Sequence, residues 1–207
     1  MTPSPHPYLD LHRADDFARR YLDRLRALLD EMDTAAIARF VAVLVAARER
    51  KARIFFMGNG GSAATATHFA NDISIGNGSW SKPFRAVSLV DNMAVLTAVA
   101  NDHGYDHIFT IQLRTQMSPG DVVVAISASG NSPNVVGAVE YARANGAVTV
   151  GLTGFDGGRL KELADVSVHV PTGTGEYGPV EDVHMILDHL VGAYLIALCR
   201  AETTAAV

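Results

Sequence analysis

The sequence predicts a doubly wound parallel α/β sheet of five strands, with two helices ahead of it and one long helix after it. Two observations carry the prediction. Through the middle of the chain, short apolar runs of strand length alternate with helical patterns, as parallel βαβ units require. Two of those runs break into Gly/Ser loops, Gly58-Asn59-Gly60-Gly61-Ser62 and Ser127-Ala128-Ser129-Gly130-Asn131-Ser132, and each loop leads into a helical pattern.

Taken in order, residues 1–9 hold three prolines and read as a loose arm. Helical periodicity follows over 13–30, with Phe17, Tyr21, Leu25 and Leu28 on one face, and over 34–50, with Ile37, Phe40, Val41, Leu44 and Val45. Asp33 or Thr34 is placed to cap the second helix. These two helices precede the sheet and must pack outside it. The buried strands are Arg53–Met57, Ala86–Val90, Val122–Ser127, Val148–Thr153 and Val166–Val170, each a short apolar run. Helical segments separate them near 62–75, 92–100, 105–117, 133–145 and 158–163. Pro119-Gly120-Asp121 marks a turn and Asn145-Gly146 a helix stop. The last helix covers roughly 179–201. With no repeat or low-complexity tract, one domain is expected over 1–207: arm and helices to 50, α/β core over 51–175, closing helix from 176.

Composition narrows the class. At 207 residues, 48% hydrophobic and 19% charged, the chain has the make-up of an ordinary globular domain. A net charge of −5 argues against a nucleic-acid surface. The lone Cys199 excludes an internal disulfide framework and fits a reducing compartment. No apolar run looks long enough to span a bilayer, and the acidic start lacks a signal-peptide pattern. A cytoplasmic protein is expected.

The two Gly/Ser loops point to an anion. Glycine lets the backbone turn tightly and come close to a ligand. The helix that follows adds unpaired N–H donors and the positive end of its dipole. Two such loops indicate a phosphorylated small molecule held at the ends of parallel strands. Chemistry has two sources. His68 and Asp72 are four apart and share a helix face, a spacing that serves either a surface pair or a metal. In Glu181-Asp182-Val183-His184-Met185-Ile186-Leu187-Asp188-His189, the first two acids suit the first turn of a helix. Asp188-His189 does not, because apolar residues flank the pair and a buried charge needs a partner. His189 is therefore the leading candidate for proton transfer or metal binding. Glu181 with His184 is the easier local pair. Asp91-Asn92 reads as a cap, and Asn101-Asp102 stands between helical patterns where it can project toward a ligand.

GNGGSA at 58–63, HFAND at 68–72, ANDHGYDHIF at 100–109, SASGNSPNVV at 127–136, VGLTGFDGG at 150–158 and EDVHMILDH at 181–189 occur in one order. Together they resemble the sugar isomerase (SIS) domain family, and more closely its phosphoheptose isomerase branch. The resemblance implies a flavodoxin-like SIS domain that converts sedoheptulose 7-phosphate to an aldoheptose 7-phosphate. It implies that Asn59, Gly60, Gly61 and Ser62 line the sugar-phosphate site. Ser127, Ala128, Ser129 and Ser132 would form the phosphate cradle, and Asn101 and Asp102 would contact substrate. His68, Asp72, Glu181 and His189 fall on the family's zinc positions, with Asp72 and His189 also its acid/base pair. One Zn²⁺ per subunit and a homotetramer with sites at subunit contacts are implied as well. Two residues depart from the family pattern, Asp72 for a usual glutamate and Glu181 for a usual glutamine. One helix separates Glu181 from His189 by about 12 Å of axial rise, so one ion takes both only if Glu181 lies in an irregular first turn or the two come from different subunits. Related non-catalytic SIS scaffolds, sugar-phosphate sensors, and an isomerase with a different ketose phosphate or product C2 configuration are the competing expectations; His68, a carboxylate at 72 and His189 favour an enzyme, and the two departures keep the third in play.

Overall fold

The computed structural model describes residues 13–205. The expected arm over 1–9 lies outside that range. Two helices come first, α1 (Ala14–Asp30) and α2 (Thr34–Glu49), with Asp33 capping α2 by accepting from the Ala35 and Ala36 amides. The α/β unit then runs β1 (Arg53–Gly58), α3 (Gly61–Asn71), β2 (Arg85–Ser88), α4 (Met93–His103), α5 (Thr110–Gln116), β3 (Val122–Ser127), α6 (Pro133–Ala144), β4 (Val148–Thr153), α7 (Gly158–Leu163) and β5 (Val166–His169). The closing helix is α8 (Tyr177–Ala205).

The five strands form one sheet in the order β2-β1-β3-β4-β5, and every pairing is parallel. Alternation within the strands builds two cores. Ile54, Phe56, Val122, Val124 and Ile126 face α2, α3 and α8. Their neighbours Phe55, Met57, Val123 and Ala125 face α5 and α6. Burial on both faces explains why these strands read as unbroken apolar runs. The strand order reverses direction between β1 and β3, and a crevice opens there at the carboxyl ends of the strands.

Several element boundaries differ from the sequence expectation. The helix expected over 62–75 keeps α-geometry only to Asn71, and Asp72–Gly76 forms a π-helical turn. Asn77 donates its side-chain amide to the Ile73 carbonyl and Ser74 donates to the Ala70 carbonyl at 2.6 Å, so side chains help satisfy the widened turn. The expected helix over 105–117 divides into a short 3₁₀ turn, Tyr105–His107, and α5. The strand expected at Ala86–Val90 ends at Ser88, where the chain turns into the loop before α4.

The closing helix corrects the membrane reading. Over Tyr177–Thr204 it is long and apolar enough to cross a bilayer by length and composition. Its apolarity has another cause: Val180, Val183, Leu187, Val191, Leu195 and Cys199 are buried against the domain. The leading helices share this packing. Phe40, Leu44 and Ala47 bury α2 against the sheet, whereas α1 rests on α8 and the segment ahead of it through Leu28, Val183 and an Arg24–Glu176 ion pair at 2.8 Å.

Candidate active site

The β1–α3 and β3–α6 loops meet at the switch point. Ser62, Ser127, Ser129 and Ser132 line one small cavity there with Asn59, Ala128, Tyr177 and Glu181. The serines are held by local bonds. Ser127 Oγ lies 3.3 Å from Ser132 Oγ and accepts from the Gly130 amide at 3.2 Å. Ser129 Oγ accepts from the Asn131 amide at 3.3 Å. Gly130 adopts φ +64°, and a Cβ there would strike the Gly157 carbonyl, so only glycine lets the loop close down on its neighbour. Ser132 is the N-cap of α6 and makes no side-chain capping bond, which leaves its hydroxyl available to a ligand at a helix N-terminus.

Asn59 has a different first duty. It exchanges two amide bonds with Asn134, both 2.9 Å, and accepts a third from the Tyr105 hydroxyl at 2.9 Å. Its side chain braces the two loops together. On the other side of Asn59 lies a larger, mostly apolar cleft lined by Ala63, Thr67, Met93, Leu96 and Tyr105. That cleft is roomier than the serine cavity but has few polar groups. The serine cavity is the better match to an anion because donors converge on it.

A second group of side chains sits where α3 meets α8. One ligand atom each from His68, Asp72, Asp188 and His189 lies within 4.8 Å of the others. His68 and Asp72 come from the end of α3 and the start of the π turn, with Nδ1 to Oδ2 at 3.8 Å. The rings of His68 and His189 meet edge to face, centroids 5.1 Å apart. His68 Nδ1 also forms a short contact with Asp188 Oδ2. Burial pushes the Asp188 carboxyl above its usual range, and the hydrogen bond to Asp188 holds the His68 imidazole above its own.

The structure regroups the expected ligands. Within the one chain described, His68, Asp72 and His189 come together, whereas Glu181 lies apart from them. It lines the serine cavity, with its carboxylate against Gly61, where any Cβ would collide with it. Burial, helped by Asp182, raises the Glu181 carboxyl above its usual range. The reason is helical geometry: the eight residues to His189 make more than two turns of continuous helix. The easier pairing of Glu181 with His184 does not form either. His184 is fully buried, points Nε2 at the Thr153 carbonyl 3.4 Å away, and is pushed down to about 4 by desolvation. Asn101 and Asp102 are exposed at the end of α4, bonded to each other at 2.7 Å, and line neither grouping. Asp91 and Asn92 serve locally: Asn92 caps α4, and Asp91 accepts from Thr67 at 2.6 Å. Asp188 is a member of the cluster to which the sequence assigns no role, and Tyr177, which the sequence leaves between lining a site and ordinary packing, lines the serine cavity. For Asp188 the signal was present, a charge flanked by apolar residues and in need of a partner.

A serine-lined cavity at the switch point of a doubly wound sheet, with a His/Asp cluster along the neighbouring helix, fits a SIS-type domain. Residues 19–154 match the SIS domain family model. The phosphoheptose isomerase of Rhodospirillum rubrum is 40% identical over 168 residues, 79% of this chain and 87% of that protein. That of Geobacter metallireducens is 41% identical over 158 residues, 76% of this chain and 82% of the relative. Among solved structures, phosphoheptose isomerase GmhA from Neisseria gonorrhoeae matches with a TM-score of 0.75 at 31% identity, covering 89% of this chain and 96% of that one. The Francisella tularensis phosphoheptose isomerase gives 0.80 at 25% identity, covering 89% and 98%. The chain belongs to the phosphoheptose isomerase family of SIS-domain proteins, and it is a sugar-phosphate isomerase.

Proposed function

We propose that the enzyme converts sedoheptulose 7-phosphate to an aldoheptose 7-phosphate through an enediol. The observation that carries this reading is the division of the site along α8. Glu181 lines the serine cavity and His189 belongs to the His/Asp cluster, about 12 Å further along the helix axis. A phosphate in the serine cavity and a carbonyl at the cluster call for an extended phosphorylated sugar that reaches from one to the other.

The reaction moves one proton between C1 and C2. Asp72 and His189 are the proposed pair. One takes the proton from carbon and returns it to the neighbouring carbon; the other carries a proton between the two substrate oxygens. The serine hydroxyls and the α6 N-terminus hold the phosphate, so the reacting carbons are placed by a remote anchor. Asp72, one methylene shorter than the family's usual acid, stands where the helix widens into the π turn.

The cluster also fits a divalent cation. His68, Asp72 and His189 would hold it, two imidazoles and a carboxylate suited to Zn²⁺, and the buried Asp188 Oδ1 has no partner among the described residues. When bound, such an ion polarises a carbonyl and stabilises the charge that develops on oxygen. We place the active form as a homotetramer in the cytoplasm. Ile186, Leu190 and Tyr194 are 37%, 46% and 53% exposed, and at four-residue spacing they form an apolar stripe along α8 beside His189. A second copy covering that stripe would put a subunit contact at the site.

Incubation with sedoheptulose 7-phosphate, followed by NMR of the product, tests the function. Conversion to an aldoheptose 7-phosphate is expected. No conversion by folded, metal-supplemented enzyme would overturn the substrate assignment.

A further inference from the structure

We infer that Asp188 is a positioning residue: a buried carboxylate on α8 that holds the His68 ring with Nδ1 protonated and leaves the Nε2 lone pair for a cation. The inference rests on the proposed reading of the cluster as a cation site.

Successive helical residues point about 100° apart. Asp188 and His189 use that difference. Asp188 is completely buried against α3, whereas His189 is exposed. Asp188 therefore approaches His68 from the protein interior, through Oδ2 to Nδ1. The imidazole itself is 42% exposed, and its Nε2 makes no hydrogen bond among the described residues. A neutral imidazole that donates from Nδ1 has its only lone pair on Nε2. A histidine that ligates a metal characteristically donates its other N–H to a carboxylate, which sets both the tautomer and the ring angle.

Two alternatives fit the structure less well. A purely structural role would require Asp188 to contribute to stability. It is a fully buried carboxyl whose Oδ1 has no partner among the described residues, and Oδ2 meets a half-exposed ring that water can serve, so its burial is a cost. A role as a fourth ligand conflicts with its contact to Nδ1. Two ligands of one tetrahedral zinc, each about 2 Å from it, stand roughly 3.3 Å apart. The Asp188 oxygen and Nδ1 are in hydrogen-bond contact, closer than that. Three ligands from His68, Asp72 and His189 also leave an open position, as catalytic zinc sites do.

The test uses the full chain and its Asp188→Leu and Asp188→Asn variants. Zn²⁺ and Co²⁺ affinities are measured by competition with a chromophoric chelator. The Co²⁺ absorption bands and the ¹⁵N shifts of the histidine rings, the latter on metal-free protein, are recorded alongside. Cation affinity is expected to fall about 10- to 100-fold in both variants. The cobalt bands should stay in place because the ligands are unchanged. His68 should lose its fixed Nδ1–H tautomer, and Asp188→Leu should be no less resistant to urea than the wild type. Affinity within twofold of wild type in a folded variant would overturn the inference. So would shifted cobalt bands, which would make Asp188 a ligand. A wild-type protein that binds neither ion would refute the cation site of the proposed function. An unchanged His68 tautomer in the variants would separately refute the hold of Asp188 on the ring.

Discussion

His184 gives the protein a built-in sensitivity to acid whose size follows from its surroundings. The ring is fully buried, Nε2 reaches the Thr153 carbonyl, Nδ1 has no partner among the described residues, and the pKa is lowered from 6.5 to about 4. The folded state thus binds a proton more weakly than the unfolded chain. The resulting stabilisation is fully present above pH 6.5 and is lost as the pH falls from there to about 4. At about 1.4 kcal/mol for each pH unit, the loss amounts to about 3 kcal/mol. Other groups act in the opposite sense. The raised carboxyls of Glu181 and Asp188 favour the fold as acid is added, and the raised His68 contributes below its unfolded value and loses that contribution as the pH rises. The wild-type profile therefore mixes several terms, and a variant isolates one. His184→Met is suited to this because methionine is apolar and adapts to irregular space. It also leaves the Thr153 carbonyl with its bond from the Val170 amide, 2.9 Å. Urea denaturation at fixed protein concentration with EDTA, from pH 7 to pH 4, is the assay. The wild type should lose about 3 kcal/mol more than the variant across that interval. Parallel curves would refute the reasoning and mean that His184 takes up a proton in the folded state.

Three further outcomes test the site. The double variant Ser129→Ala, Ser132→Ala should bind a seven-carbon alditol phosphate about 1–3 kcal/mol more weakly by calorimetry, since hydrogen bonds to a charged group are lost; unchanged affinity in the folded protein would remove this loop from the phosphate site. Asp72→Asn should abolish turnover of sedoheptulose 7-phosphate, because an amide cannot accept the proton; wild-type turnover would exclude residue 72 from proton transfer. Leu190→Glu together with Tyr194→Glu should dissociate the oligomer in light scattering and reduce turnover with it, whereas an intact tetramer would place the contact elsewhere.

Much of the fold was legible because a doubly wound sheet writes itself into local patterns. Strands buried on both faces leave short apolar runs, and β1, β3, β4 and β5 lie where those runs are, give or take a residue. The Gly/Ser loops marked two strand-to-helix turns, since tight turns before helix N-termini need those residue types. Side-chain amides and the π turn were less visible. Asn59 reads as a ligand residue, yet its bonds to Asn134 and Tyr105 join segments far apart in sequence. The α3 pattern continues without a break through Asp72, where the backbone widens because of contacts made several residues later.

The sequence by itself determined the class of fold, the two Gly/Ser loops that meet at the switch point, and the ionisable residues that an apolar helix would not carry without cause. Those features depend on neighbours a few positions away, where spacing and residue type suffice. Only the tertiary structure decided how the ionisable residues divide. The packing of α8 across α3 buries Asp188 beneath His68, leaves His189 facing outward, and carries Glu181 to the serine cavity. Position along one helix fixes which residues share a face, but which face meets α3 depends on how the two helices dock, and that is set by the core around Phe69, Leu187 and Val191.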